Sequence, residues 1–130
     1  MNANDLEENF KKIIFSITKL IVLNLKINIT ENKIKEIINS KGVSLIDFFL
    51  KYIYLNEKYS SQIKNKDDHF YSQETFSEIT EPELKDYKKL FKVSKVWHNI
   101  DNNIKDFIKK AFIGLLDICD KYVVIKYSTH

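Results

Sequence analysis

The stretch that decides the fold is Asp101-Asn-Asn-Ile-Lys-Asp-Phe-Ile-Lys-Lys-Ala-Phe-Ile-Gly-Leu-Leu-Asp-Ile-Cys119. Its apolar residues recur at three- and four-residue spacing, which is the pattern of a helix that buries one face. Asp101 is of a residue type that caps helix N-termini. These residues predict the central helix, and its core stripe is Ile104, Phe107, Ile108, Ala111, Phe112, Leu115, Leu116, Ile118 and Cys119.

A second helix is predicted near the start of the chain. Its apolar positions fall on one helical stripe, which consists of Leu6, Phe10, Ile13, Ile14, Ile17, Leu20 and Ile21. Asn4 and Glu7 have the spacing of a capping box, in which each side chain bonds to the backbone of the other residue. We expect this helix to begin at Asn4 and to end near Asn24.

Two short segments carry a strand pattern instead. Residues 23–30 alternate apolar and polar side chains, and residues 122–125 are mostly β-branched. Segments 25–29 and 122–127 could therefore pair with each other as one short two-stranded β element. The predicted class is mostly all-α, a single small bundle of four to six helices, with or without that pair of strands.

Further helices are predicted between these segments. Thr30 caps a short helix that Gly42 stops, and Ser44 with Asp47 opens the next helix. Another helix begins at Thr80, with Glu83 three residues later and Pro82 in its first turn. Residues 64–80 are polar and show no helical period, so we expect one domain over 1–130 with a mobile polar loop at about 64–80.

The basic residues are all of one type. The 130-residue chain has 21 lysines, no arginine, and a net charge of +3. Because arginine builds bidentate recognition of bases, phosphates and carboxylates, its absence argues against sequence-specific DNA binding and arginine-finger chemistry. This composition is typical of an A+T-rich genome, such as that of a large DNA virus, a phage or an A+T-rich bacterium.

The expected location is the cytoplasm, or the host cytoplasm or virion if the source is viral. The most apolar stretch, residues 13–29, is interrupted by two lysines and two asparagines, whereas a membrane span needs about 20 predominantly apolar residues. The first residues are acidic where a signal peptide is basic. One cysteine, Cys119, allows no internal disulfide and suits a reducing compartment.

The sharpest charge pattern is a lysine stripe. Lys85, Lys88, Lys89, Lys92 and Lys95 lie within about a third of the circumference of one predicted helix, at 100° per residue. Such a stripe could bind polyanions, either nucleic acid or an anionic membrane surface. The alternative interpretation, which we favour, is a solvated helix face in a chain whose only basic residue is lysine.

Candidate catalytic and metal-binding residues are few. Asp67, Asp68, His69 and Glu74 could ligate a divalent metal, but without the spacing of a known site, so a solvated acidic loop is the preferred interpretation and no cofactor is expected. Cys119 lies on an apolar face, which favours a buried inert thiol. The sequence has no P-loop, nucleophile elbow, dinucleotide fingerprint or zinc motif.

Two resemblances cover short parts of the chain. Ile29-Thr-Glu-Asn-Lys-Ile-Lys-Glu-Ile-Ile-Asn-Ser-Lys-Gly-Val-Ser44 resembles the start of the eukaryotic stalk P-proteins of the ribosome, although their alanine-rich hinge and acidic tail do not follow. Lys51-Tyr-Ile-Tyr54, Val96-Trp97 and Lys121-Tyr-Val-Val-Ile125 are similar to positions in the poxviral Bcl-2-like proteins, where the first two elements lie further apart. Neither resemblance carries a function over to this chain.

The sequence thus predicts a small interaction protein without enzymatic activity, a structural or inhibitory subunit whose surface binds another protein. Two alternatives stay open. One is a non-specific nucleic-acid-binding accessory protein that uses the lysine stripe, and the other is a small hydrolytic or metal-dependent enzyme. Homo-oligomers are also compatible with the sequence.

Overall fold

The described part of the chain consists mainly of α-helices. The computed structural model describes residues 2–26, 28–40, 42–73, 80–91 and 93–127, apart from the side chains of Glu83 and Lys89. The α-helices are α1 (Ala3–Leu25), α2 (Glu31–Ile38), α3 (Leu45–Phe49), α4 (Glu57–Lys64), α5 (Asp68–Ser72), α6 (Lys85–Leu90) and α7 (Asn102–Tyr127). A π-helical turn, Leu50–Tyr54, continues α3, and 3₁₀ turns occur at Pro82–Leu84, Val93–Lys95 and Trp97–Asn99.

The two long helices, α1 and α7, pack against each other in antiparallel directions. At one end the Tyr122 hydroxyl lies 3.4 Å from Glu7 Oε1. Halfway along, Gly114 of α7 faces Ile13 of α1, where an added Cβ atom would lie 3.7 Å from Ile13 Cδ1, an ordinary van der Waals distance. The pair forms one side of the bundle, and the shorter helices pack over its inner face.

Aromatic rings fill the space between the long helices and the short ones. Phe112 of α7 lies 6.3 Å from Phe49 of α3 and 5.6 Å from Phe70 of α5, measured between ring centroids. Tyr71 stacks on Trp97 at 4.8 Å. Buried side chains of α1 and α7 complete this core, among them Leu6, Phe10, Ile14, Ile17, Ile21, Ile108, Leu115, Leu116 and Cys119.

Most predicted helix starts are confirmed. The Thr30 hydroxyl accepts a hydrogen bond from the Lys33 amide, as an N-cap does. Ser44 caps α3 in the same way, and Asp101 Oδ1 accepts from the backbone amide of Ile104 at 2.9 Å. The short polar side chains thus satisfy amides that the first turn of a helix leaves without partners.

The first helix and the helix after Thr80 start elsewhere than predicted. The capping box of α1 joins Asn2 and Asp5, two residues before the predicted pair. After Thr80, a 3₁₀ turn at Pro82–Leu84 comes first, and α6 begins only at Lys85. Two pairs near the N-terminus, Asn2 with Asp5 and Asn4 with Glu7, have the spacing of a capping box. The first pair forms the capping box in the structure.

The two-stranded element left open for segments 25–29 and 122–127 is wrong, because the described residues form no strand. Leu25 ends α1, and Lys26 adopts the left-handed conformation (φ 55°) that closes helices. Residues 122–127 belong to α7, where Tyr122 lies one turn after Cys119 on the buried face. Burial of a helical stripe therefore overrides the β-propensity of Val123 and Val124.

The predicted polar loop at 64–80 is wrong for residues 68–72, which form α5. Asp67 caps this helix by accepting a hydrogen bond from the His69 amide at 2.9 Å. Phe70 and Tyr71 are buried, so α5 is anchored in the core. Residues 74–79 lie outside the described part of the chain.

The mostly helical class is confirmed, since α-helices make up most of the described chain. The described residues hold seven α-helices rather than four to six, because α4 and α5 lie where no helix was predicted. None of the helices in these residues is both long and apolar enough to span a membrane.

Candidate functional site

The five lysines of the predicted stripe do not share one helix. Lys85 and Lys88 lie on α6, which ends before the last two lysines of the stripe. Lys85 is exposed and Lys88 is half-buried, while Lys95 is exposed on a 3₁₀ turn. The side chain of Lys89 and all of Lys92 lie outside the described residues. The prediction that these five lysines form one stripe on one helix is therefore wrong. Binding of a polyanion by these lysines stays a prediction.

The candidate metal ligands on and before α5 have other partners. Asp67 caps α5, and Asp68 forms an ion pair with Lys109 of α7. His69 is exposed, and Glu74 lies outside the described residues. In the part of the chain that the structure describes, no three His, Cys, Asp or Glu side chains come close enough to hold a metal ion.

Cys119 lies in the core, where the sequence pattern placed it. Its side chain is fully buried, and burial raises the pKa of its thiol from the ordinary 9.0 to about 12. The neighbouring carboxylates of Asp120 and Asp47 contribute to this rise in pKa. Because the thiolate is the reactive form, the folded protein offers no nucleophile at this position near neutral pH.

A polar cluster joins the N-terminal ends of α1 and α3 to the C-terminal end of α7. The Tyr122 hydroxyl lies 3.4 Å from Glu7 Oε1 and 3.3 Å from Asp47 Oδ1, and it accepts a 2.8 Å bond from Lys126 Nζ. Burial raises the pKa of Tyr122. Ser44 Oγ donates to Asp47 Oδ2 at 2.8 Å. Because these groups bond to one another, we interpret the cluster as structural, linking α1, α3 and α7.

An apolar groove lies on the surface between α1 and α7. Its volume is about 560 Å³. The described residues that line it come from α1, from α7 and from Asp101, which caps α7. These residues, which we call the α1–α7 groove, are Ser16, Lys19, Leu20, Leu23, Asp101, Asn103, Ile104 and Phe107.

Two large apolar side chains of the α1–α7 groove are exposed. Leu23 is 73% exposed and Phe107 is 46% exposed. The prediction that Phe107 belongs to the core is therefore wrong, and Ile104 is only partly buried. Ile108, the next residue after Phe107, faces the core, and successive residues differ by about 100° around a helix. Phe107 consequently points along the seam toward α1.

Three polar residues of the α1–α7 groove, Lys19, Asp101 and Ser16, have partners within the protein. Lys19 Nζ forms a 2.8 Å ion pair with Glu31 Oε1, which lowers the pKa of that carboxyl group. Asp101 caps α7, and Ser16 Oγ donates to the Lys12 carbonyl at 3.1 Å. Since these groups are engaged at the rim, the floor offers apolar contact rather than acid–base chemistry.

Reasoning from the sequence missed the α1–α7 groove. The only signal was Leu23, an apolar residue outside the stripe of the first helix. Comparison with protein-family models, with curated proteins and with solved structures finds no match to this chain. The structure thus defines a class, a small helical bundle with an open apolar groove.

Proposed function

We propose that this protein is an interaction module that binds another protein through the α1–α7 groove. The observation that carries the proposal is Phe107, a large aromatic side chain that is 46% exposed on a long, well-packed helix. Exposed aromatic residues next to apolar neighbours are characteristic of binding surfaces. Leu23, exposed on the opposite wall, extends the same apolar surface.

The shape of the α1–α7 groove favours a helical segment of the partner. The groove is bounded by two antiparallel helices and receives residues spaced three apart from each, Leu20 with Leu23 and Ile104 with Phe107. An amphipathic helix docks into such a groove with anchors at positions i, i+3 or i+4. The rim carries one base and one acid, Lys19 and Asp101, which are bonded to Glu31 and to the Ile104 amide, so the groove offers a partner mainly apolar contact.

The energy available from Phe107 is substantial. Complete burial of a phenylalanine side chain stabilises by roughly 1.5–3 kcal/mol. Covering the 46% that is still exposed would therefore contribute about 1 kcal/mol from this residue alone. Together with Leu23, this makes the pair the expected centre of the interface, where a few side chains carry most of the binding energy.

The proposal is tested by affinity purification from the native host with two matched variants. The first, Leu23→Gln with Phe107→Gln, makes both exposed walls polar while keeping good helix formers. The second, Leu55→Gln, changes an apolar residue that is 65% exposed outside the groove. Both variants should fold like the wild type, as circular dichroism and urea unfolding will show.

We expect a protein that co-purifies with the wild type and with Leu55→Gln but not with the double variant. The recovered protein is then expressed separately and titrated calorimetrically, where the double variant should bind at least about tenfold more weakly, because two apolar anchors are lost. Equal recovery with all three baits would refute the groove as the binding surface. Association of the purified chain with itself, lost in the double variant, would make the partner a second copy.

A further inference from the structure

A second concave surface lies beside the α1–α7 groove along the N-terminal half of α1, where α1 meets α2, and the two surfaces share Ser16. Its volume is about 360 Å³, which is within the roughly 300–1,000 Å³ typical of small-molecule sites. We call it the α1–α2 cleft. The residues that line it are Glu8, Lys11, Lys12, Phe15, Ser16, Lys35, Ile38 and Asn39.

The charge of the α1–α2 cleft is positive. Three lysines and one acid line it, which gives 3 − 1 = +2. Lys11 faces Glu8 at 3.7 Å, and Lys12 and Lys35 are exposed. Lysines from two helices thus converge on one cavity, whereas Lys85 and Lys95 lie on separate elements of the chain.

An aromatic ring lies among these charges. Phe15 is half-buried, and the ammonium groups of Lys19 and Lys35 each lie 5.5 Å from the centroid of its ring. Lys19 also pairs with Glu31. Lys35 lies near this ring and also near the Glu31 carboxylate, whose pKa it helps to lower. Cation–π attraction is worth about 0.5–1 kcal/mol at an exposed site, so weak, solvent-exposed contacts hold the Lys35 ammonium group at the cleft.

We propose that the α1–α2 cleft binds a nucleotide, either free or within a single strand of nucleic acid. A nucleotide combines the two chemistries that the cleft offers, since its phosphate attracts lysine ammonium groups and its base stacks on an aromatic ring. Lysine acts as a point charge and has no base-reading geometry, so the binding is independent of sequence. This site is distinct from the α1–α7 groove and does not depend on the function proposed for it.

The test measures fluorescence anisotropy of a labelled oligothymidylate of about 12 nucleotides over a range of salt concentrations. Lys12→Gln with Lys35→Gln removes two charges from the cleft, and Lys85→Gln with Lys95→Gln removes two charges elsewhere. The wild type should bind with a dissociation constant of about 10 μM or tighter at roughly 0.15 M salt. The cleft variant should reduce the log–log salt slope by about 1.4, or 0.7 for each phosphate contact on a single strand.

The aromatic ring is tested separately. Phe15→Leu should weaken binding at least about fivefold and leave the salt slope unchanged, because stacking releases no counterions. Phe15→Tyr keeps a stacking surface and should bind like the wild type. Thermal unfolding of both variants shows that the fold is retained, and the tyrosine variant keeps the test decisive if leucine disturbs the packing of α1.

Titration with adenosine monophosphate separates the two sources of the ligand. Similar affinity for the mononucleotide and the oligonucleotide would assign a free nucleotide, and binding of the oligonucleotide alone would assign a strand. Absence of binding to both would overturn the proposal. So would equal losses in the two charge variants, which would reflect net charge only, or wild-type affinity in Phe15→Leu.

Discussion

Replacing Tyr71 with phenylalanine should stabilise the protein. Tyr71 is 1% exposed, and its hydroxyl oxygen has no hydrogen-bond partner among the described residues. In the unfolded chain this hydroxyl bonds to water, so folding loses those bonds without replacing them. A buried polar group left unsatisfied in this way costs about 1–3 kcal/mol.

The ring contacts of Tyr71 do not depend on its hydroxyl. The ring stacks on Trp97 with 4.8 Å between centroids and meets the rings of Phe70 and Phe112 edge-on at 5.0 and 5.4 Å. Phenylalanine retains all three contacts and leaves a void the size of one oxygen atom. We therefore expect Tyr71→Phe to raise the free energy of unfolding by about 1 kcal/mol and the Tm by about 3 °C.

Urea unfolding measures the change, and Tyr122→Phe is the matched control. The Tyr122 hydroxyl is close to Glu7 and Asp47, at 3.4 and 3.3 Å, and accepts a bond from Lys126. Its removal should lower the free energy of unfolding by about 1 kcal/mol, since a charged partner loses a bond. A loss of more than about 1 kcal/mol in Tyr71→Phe would show that its hydroxyl does have a partner, and would refute the reasoning.

The free energy of unfolding at alkaline pH gives a second comparison between the wild type and Tyr71→Phe. Burial raises the pKa of Tyr71 above its ordinary value of 10.0. Above pH 10 the unfolded chain therefore releases the Tyr71 proton while the folded chain keeps it, so stability falls as pH rises. The phenylalanine variant has no such proton, and its advantage over the wild type should grow above pH 10.

Three further changes test the core, the helix pair and the buried thiol. In urea unfolding, Phe112→Ala should lower the free energy of unfolding by about 3–5 kcal/mol, because Phe112 is buried in the core. Phe107→Ala, at a half-exposed position, should lower it by less than about 1.5 kcal/mol. Similar losses in the two variants would contradict the assignment of Phe107 to the groove. Gly114→Ala should stabilise by about 0.5–1 kcal/mol, because a Cβ atom would make an ordinary contact with Ile13; a lower Tm would show that the helices approach too closely. Folding raises the pKa of Cys119 from 9.0 to about 12, so the unfolded chain loses the thiol proton first as the pH rises. The free energy of unfolding of the wild type should therefore fall by up to about 1.4 kcal/mol per pH unit between pH 9 and 10. Denaturant titrations of Cys119→Ala should show a flatter dependence on pH.

Local signals made the helix starts predictable. Thr30, Ser44 and Asp101 each cap a helix through the amide three residues later, so the signal lies within a few neighbouring residues. The choice between Asn2 and Asn4 at the start of α1 was not predictable in this way. Both asparagines have an acid three positions later, so packing of the whole helix decides which one becomes the cap.

The hydrophobic pattern of the sequence could not predict the short helix α5. The five residues of α5 complete little more than one turn, which is too short to show a helical period. Its stability comes from packing of Phe70 and Tyr71 against Phe112, a residue about forty positions away in the chain. The lysine stripe failed for a related reason, because no local signal ended α6 after Leu90.

The contrast between Phe107 and Phe112 explains why the candidate site could not be predicted. Both are phenylalanines in the apolar pattern of α7, and their exposure depends on what else packs at each level of the helix. Phe112 meets rings from α3 and α5, whereas the described residues that line the groove around Phe107 come from α1, the start of α7 and its cap. Within the described part of the chain, no third helix lines the groove at that end of the long helix pair, and the proposed partner helix would pack there.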